Sequence, residues 1–170
     1  MRSLSLQGTF GNQLCLLTHT QRGQEVLMPE TNHILWHEVG AAAVLAGVQI
    51  RPLASPYGQI DLKEVRKKRR GSDIHEPQTG LLCMENAHSS GCVVPLSHHQ
   101  EVYELAQSFS IPVHLDGARL FNAAVALKIA PSQIAQFADS IQICLSKGLC
   151  APIGSLVLGT SAFIHKARKK

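Results

Sequence analysis

Aromatic residues make up only 5% of these 170 residues and charged residues only 16%. So little charge excludes the composition of a disordered chain, and 45% hydrophobic residues can furnish a core. No run approaches the roughly 20 apolar residues that a membrane-spanning helix requires, and Met1 does not lead into the apolar stretch of a secretion signal. The five cysteines, Cys15, Cys83, Cys92, Cys144 and Cys150, contain no Cys-x-x-Cys pair and are odd in number. That pattern excludes a disulfide framework and points to a reducing compartment, the cytoplasm or alternatively the mitochondrion. No aromatic residues interleave with the basic runs at Lys67–Arg70 and Lys166–Lys170. With a net charge of only +4, these runs read as solvated helix ends, which leaves nucleic-acid binding as a minor alternative.

What is present alternates along the whole chain. A chain of this length removes roughly 70% of its unfolded surface from water when it folds, enough for one domain without staples. Short strand-like runs at Glu25–Met28, Val48–Leu53, Gly80–Met84, Pro112–Asp116, Ser140–Leu145 and Ser155–Leu158 are separated by helical patterns. The helices are expected at Gly11–Thr20, His33–Ala46, Asp61–Lys68, Leu96–Phe109, Leu120–Leu127 and Ser161–Lys169, with Gly47 and Gly71 as stops. This alternation predicts an α/β fold with a mainly parallel sheet, several of its strands being apolar on both faces.

In such sheets ligands bind beyond the carboxyl ends of the strands. Three polar groups are expected there: Glu85-Asn-Ala-His88, Asp116-Gly-Ala-Arg119 and Ser146-Lys147-Gly148. Desolvation in a crevice favours a neutral amine, so Lys147 could attack an aldehyde and form a Schiff base, although a plain surface lysine would share the same spacing. Asp116, ending an apolar strand, needs a partner. That partner is either Arg119 or a protonated ligand nitrogen. Gly8-Thr9-Phe10-Gly11-Asn12 precedes a helix and could hold an anion, but it lacks the Gly-Lys-Ser/Thr ending of a P-loop. The nine histidines show neither a His-Glu-x-x-His motif nor a zinc-finger spacing, and no metal is expected.

Taken in order, six blocks resemble the threonine aldolase branch of the fold-type I pyridoxal-phosphate enzymes, within the β-eliminating lyase superfamily. They are Gly8-Thr-Phe-Gly-Asn-Gln13, His19-Thr-Gln-Arg-Gly23, His33-Ile-Leu-Trp-His-Glu-Val-Gly40, Glu85-Asn-Ala-His88, His114-Leu-Asp-Gly-Ala-Arg119 and Leu145-Ser-Lys-Gly-Leu-Cys-Ala-Pro-Ile-Gly154. The resemblance implies a three-layer α/β/α large domain over residues 1–170. It implies an N-terminal segment and a C-terminal small domain outside that span, because family members are roughly twice this long.

For the site, the resemblance implies that Lys147 holds the cofactor aldehyde, Asp116 pairs with the pyridine nitrogen and His33 stacks on the ring. Gly8 and Thr9 would cradle the phosphate, Arg119 would contact the substrate carboxylate, and His88 would serve as base or orienting group for the substrate hydroxyl. The implied reaction is retro-aldol cleavage of L-threonine or L-allo-threonine to glycine and acetaldehyde, by a homo-oligomer with roles in threonine breakdown and glycine supply. A catalytically inactive remnant that at most binds cofactor or a partner chain is the alternative. Two departures lie at the site: Gln7 stands where a small hydroxyl residue is usual, and the loop Ser89–Val94 is about two residues short.

Overall fold

The computed structural model describes the backbone of residues 2–5 and all of residues 7–170. Strands are β1 Arg2–Ser5, β2 Glu25–Pro29, β3 Gln49–Leu53, β4 Thr79–Glu85, β5 Val113–Asp116, β6 Ser140–Cys144 and β7 Ser155–Gly159. Helices are α1 Gly8–His19, α2 His33–Trp36, α3 Leu62–Lys68, α4 Leu96–Ser108, α5 Leu120–Leu127, α6 Pro131–Ala135 and α7 Ser161–Ala167. The strands form one seven-stranded sheet in the order β1-β7-β6-β5-β4-β2-β3. Its centre is parallel, and only β7 runs antiparallel to both of its neighbours, β6 and β1.

Two apolar layers flank the sheet, because successive strand residues face opposite sides. On one side Leu82 and Met84 of β4, Val113 and Leu115 of β5, and Ile141 and Ile143 of β6 join residues of α3 to α6 in the largest core. On the other side, Leu81 and Cys83 pack with Leu16 of α1, Ile34 of α2 and the π-helical turn Ala42–Ala46. Leu14 and Cys15 meet Val157 and Phe163 on that same side. Burying each large aliphatic side chain contributes roughly 1.5–3 kcal/mol, so both layers are needed to offset chain entropy.

The expected helix at His33–Ala46 is corrected: it breaks into α2 and a separate π-helical turn. Glu38 turns inward, where its carboxylate accepts hydrogen bonds from Asn12 and Gln13 and meets His33. Val39 and Gly40 carry the chain past it at positive φ, 54° and 68°. A buried carboxylate needs hydrogen-bond partners, and Glu38 finds them only where the helix breaks. A second correction concerns β5 and β6, which are not apolar on both faces. His114 and Asp116, with Ser140, Gln142 and Cys144, lie opposite the large core, and all are buried. Edge strand β1 and the one-turn helix α6, which begins at Pro131, had no helical or alternating pattern long enough to show.

The basic run beginning at Lys67 ends α3 as expected, but its residues are not simply solvated. Lys68 pairs with Glu64, Arg70 with buried Glu25 and with Glu76, and Arg69 lies 4.4 Å from the Phe109 ring centroid. No described helix is long and apolar enough to cross a membrane.

Candidate active site

The first turn of α1 reaches the carboxyl end of β6, and a missing side chain allows it. A Cβ on Gly8 would stand 2.7 Å from Cys144 Sγ and 3.2 Å from Gln142 Nε2, while one on Gly11 would meet Gln142 Cγ at 2.7 Å. Gly8 and Thr9 therefore belong to the helix itself, which starts three residues earlier than the sequence pattern suggested. Helix geometry leaves the N–H groups of this first turn without intrahelical acceptors, and they gather at the positive end of the helix dipole. Such an end favours an anion. Gly8→Ala should lower stability by about 1–3 kcal/mol through overpacking and draw the turn away from β6, read as a lower urea midpoint.

This helix end forms one wall of a cleft of about 390 Å3, within the roughly 300–1,000 Å3 usual for small-molecule sites. Gly8 and Thr9, His33, Asp116 and Lys147 all line it, together with Asn12 and Gln142. Four separate stretches of chain thus converge at the carboxyl edge of the sheet. Lys147 sits on the loop between β6 and β7, half-buried, where Leu145 N–H donates to the Gly154 carbonyl and Ala151 N–H to the Leu145 carbonyl. Those bonds close the base of the loop and fix its exit.

Asp116 is 1% exposed at the end of β5. Its Oδ2 accepts from Asn12 Nδ2 at 2.8 Å and its Oδ1 from the Ala118 N–H at 3.0 Å. Burial, with the Glu85 charge next in effect, raises its pKa to about 6 against the pull of these hydrogen bonds and of His33. Among the described residues no ion pair joins it to Arg119, so the structural salt bridge is not what satisfies it. His33 Nδ1 lies 3.1 Å from Glu38 Oε1, and that hydrogen bond raises the histidine pKa despite its partial burial. The His33 N–H donates to Glu85 Oε2.

His33, Glu38 and Asp116 offer ligand atoms within 4.8 Å of one another. Asn12 Nδ2 stands 2.8 Å from both carboxylates, so the group is joined internally by hydrogen bonds. A protonated aromatic nitrogen facing the remaining lone pairs of Asp116 would suit it.

Two expected site residues lie outside this cleft. His88, 3% exposed, lines an adjoining hollow of about 230 Å3 with Thr31, Trp36 and His37. Its Nδ1 accepts from the Ser90 N–H at 3.1 Å and lies 2.8 Å from Ser90 Oγ, and its Nε2 faces Thr31 Oγ1 at 3.1 Å. Arg119 is half-buried at the start of α5 and does not line the cleft. Conversely, Glu38, Gln142 and Cys144 belong to the site or its support without having been singled out, and Asn12 serves through its side chain and not only as part of the anion-holding turn. The signal for the strand residues was alternation: His114 with Asp116, and Ser140 with Gln142, mark one polar face.

The chain as a whole has relatives. A profile of the beta-eliminating lyase family, described as "Beta-eliminating lyase", matches residues 4–170. A low specificity L-threonine aldolase of Escherichia coli K12 is 40% identical over 161 residues, covering 94% of this chain and 48% of that protein. Among solved structures, a threonine aldolase of Leishmania major superposes with a TM-score of 0.85 at 18% identity, covering 99% of this chain and 51% of that one. An aspartate aminotransferase of Thermus thermophilus does so with a TM-score of 0.79 at 13% identity, covering 99% and 43%. At those identities the structures speak for the fold alone. The chain spans about half the length of the curated relatives it matches.

Proposed function

We propose that this chain, which belongs to the beta-eliminating lyase family, provides the cofactor site of a pyridoxal-phosphate-dependent aldehyde-lyase that cleaves L-threonine or L-allo-threonine to glycine and acetaldehyde. One observation carries the reading. A lysine amine, a buried carboxylate and the N-terminal end of a twelve-residue helix share one cleft. They answer in turn to an aldehyde, a protonated ring nitrogen and a phosphate. Similarity to the Escherichia coli threonine aldolase supports the choice of substrate.

The residues divide the work as follows. Lys147 would supply the amine that holds the cofactor aldehyde. Asp116 holds a proton on the ring nitrogen, helped by the Asn12 and Ala118 donors that keep its charge oriented. Gly8 and Thr9 present N–H groups to the phosphate. His33, locked by Glu38, forms the wall against which the ring would lie. When bound, pyridoxal phosphate supplies the sink for the electron pair released as the substrate Cα–Cβ bond breaks. His88 lines the hollow with Thr31 and not the cleft, and its part toward the substrate hydroxyl, as base or as orienting group, rests on the family resemblance.

The test is the visible absorption of the purified chain with pyridoxal phosphate, followed by assays for glycine and acetaldehyde from each threonine isomer. The reading expects a protein-bound band that is absent from Lys147→Ala. A folded chain whose spectrum is indifferent to Lys147 would overturn it. Cofactor held without glycine release would select the second reading, a binding chain without turnover.

A further inference from the structure

Behind Asp116 and its donor Asn12 runs a buried chain of polar side chains, His114, Ser140 and His19, that the proposed chemistry does not use. His19 Nε2 lies 2.8 Å from Ser140 Oγ, and Ser140 Oγ lies 2.9 Å from His114 Nδ1. His114 Nε2 lies 3.1 Å from Asn12 Oδ1, and Asn12 Nδ2 donates to both Asp116 Oδ2 and Glu38 Oε1. His114 and Ser140 are fully buried and sit side by side in paired strands β5 and β6. Asn12 comes from α1, 1% exposed.

The direction of each bond can be worked out from the end that has no choice. The two carboxylates bonded to Asn12 favour an amide that turns its NH2 toward them, which leaves Asn12 Oδ1 an acceptor. Among the described residues the group hydrogen-bonded to that oxygen is His114 Nε2, so Nε2 carries the hydrogen. Burial lowers the His114 pKa to about 3 and the His19 pKa to about 4, so both rings are neutral near pH 7. Neutral His114 with its proton on Nε2 accepts at Nδ1, where the Ser140 Oγ–H donates, with Cys15 as the other side chain that hydroxyl reaches. Ser140 Oγ in turn accepts from His19 Nε2–H. In this arrangement the donors from His19 to Asn12 point toward the carboxylates.

We propose that His19, Ser140, His114 and Asn12 form a polarised positioning chain that keeps the Asn12 amide facing Asp116 and so holds Asp116 ionised beneath the cleft. The assignment rests on the reading of Asp116 as partner of a protonated ring nitrogen, since only then does its charge matter to function. Without the His114 donor, the Asn12 amide could rotate and place its oxygen against two carboxylates. Aligned neutral dipoles perform the task without adding a cation that would compete for Asp116. Other charged or titratable groups facing Asp116 are Glu85 and Cys83 from β4, His33 and Glu38 from the segment after β2, Cys15 from α1, and Lys147 across the cleft. All of them stay in place in the variants below.

The experiment is a carbon-13 carboxyl titration of the cofactor-free chain, with the Asp116 signal assigned by its loss in Asp116→Asn. His114→Phe should raise the Asp116 midpoint by about one unit or more, because a charge-assisted donor to the ionised form is lost. His114→Gln, whose amide nitrogen can reach the former Nε2 position, should restore it to within a few tenths of a unit. A folded His114→Phe with an unmoved midpoint would overturn the proposal. Should that variant fail to fold, Ser140→Ala carries the same test with a smaller upward shift, and an unmoved midpoint there overturns it equally. Nitrogen-15 spectra of native His114 should show the Nε2–H tautomer, and the Nδ1–H tautomer would contradict the proposal. Failure of the native chain to hold pyridoxal phosphate at Lys147 would instead refute the function and leave the titration result standing.

Discussion

Lowering the pH from about 6 to 4.5 should cost the fold about 3 kcal/mol of stability per pH unit. His19, His99 and His114 are buried with pKa values lowered to about 4, 4 and 3, chiefly by desolvation. A histidine depressed in this way is neutral in both states above its unfolded value near 6.5, and contributes no pH dependence there. Below that value the unfolded chain takes up a proton that the fold refuses, so stability falls until the folded pKa is reached. Three such groups give three protons. Asp116 opposes them with one, since its pKa of about 6 lets the fold bind a proton that the unfolded chain does not yet hold. The net difference is two protons, roughly 2.7 kcal/mol per unit.

Typical domains have about 5–15 kcal/mol in total, so unfolding should begin near pH 4. His33 acts at the other end: its pKa is raised, so its contribution is complete below about 6.5 and fades as pH rises through the folded value. Urea midpoints measured every half unit would show the slope. A flat profile from pH 7 to 4.5 would mean that these rings are solvated or charged in the fold. His114→Gln should remove one proton, about 1.4 kcal/mol per unit, from the slope.

The second large effect is a pair of opposite changes from one substitution. Asp116→Asn should weaken retention of pyridoxal phosphate on the order of 100-fold, the scale expected for removing one partner of a buried, hydrogen-bonded charge pair. The same change should raise the stability of the cofactor-free chain at pH 7 by roughly 1–3 kcal/mol. The second sign follows from the raised pKa: near neutrality the fold carries an ionised Asp116 beside Glu85 at a cost that an amide avoids. A residue that costs stability and supports binding is a functional one. Equilibrium dialysis and urea unfolding of the two proteins would check both halves. Lower stability together with unchanged binding would make Asp116 structural.

Much of this was legible in the chain. The strand runs, the polar residues that end them, and Gly8-Thr9 before an apolar helix are local patterns, and the sheet brought their members to one edge as the parallel topology requires. The helix expected across His33–Ala46 failed because its decisive event is not local. Glu38 is drawn inward by Asn12 and Gln13, more than twenty residues away. His88 and Arg119 follow strands as the other site residues do, yet neither is among the residues that line the cleft. The polar face of β5 and β6 was written in the alternation of Val113-His-Leu-Asp116 and Ser140-Ile-Gln-Ile-Cys144. Only a helix bringing Asn12 against that face turns it from an unsatisfied surface into a directed chain of hydrogen bonds.

The central claim is that one lysine among the many on this chain is set apart by its surroundings. The most direct measurement is borohydride reduction of the chain with pyridoxal phosphate at equal concentration, followed by peptide mapping by mass spectrometry. The account predicts a pyridoxyl group on Lys147 at close to one per chain, with little on Lys67, Lys169 or other exposed amines, and a sharp fall in Asp116→Asn. Label spread evenly over the surface lysines, or undiminished in total in folded Lys147→Ala, would contradict it.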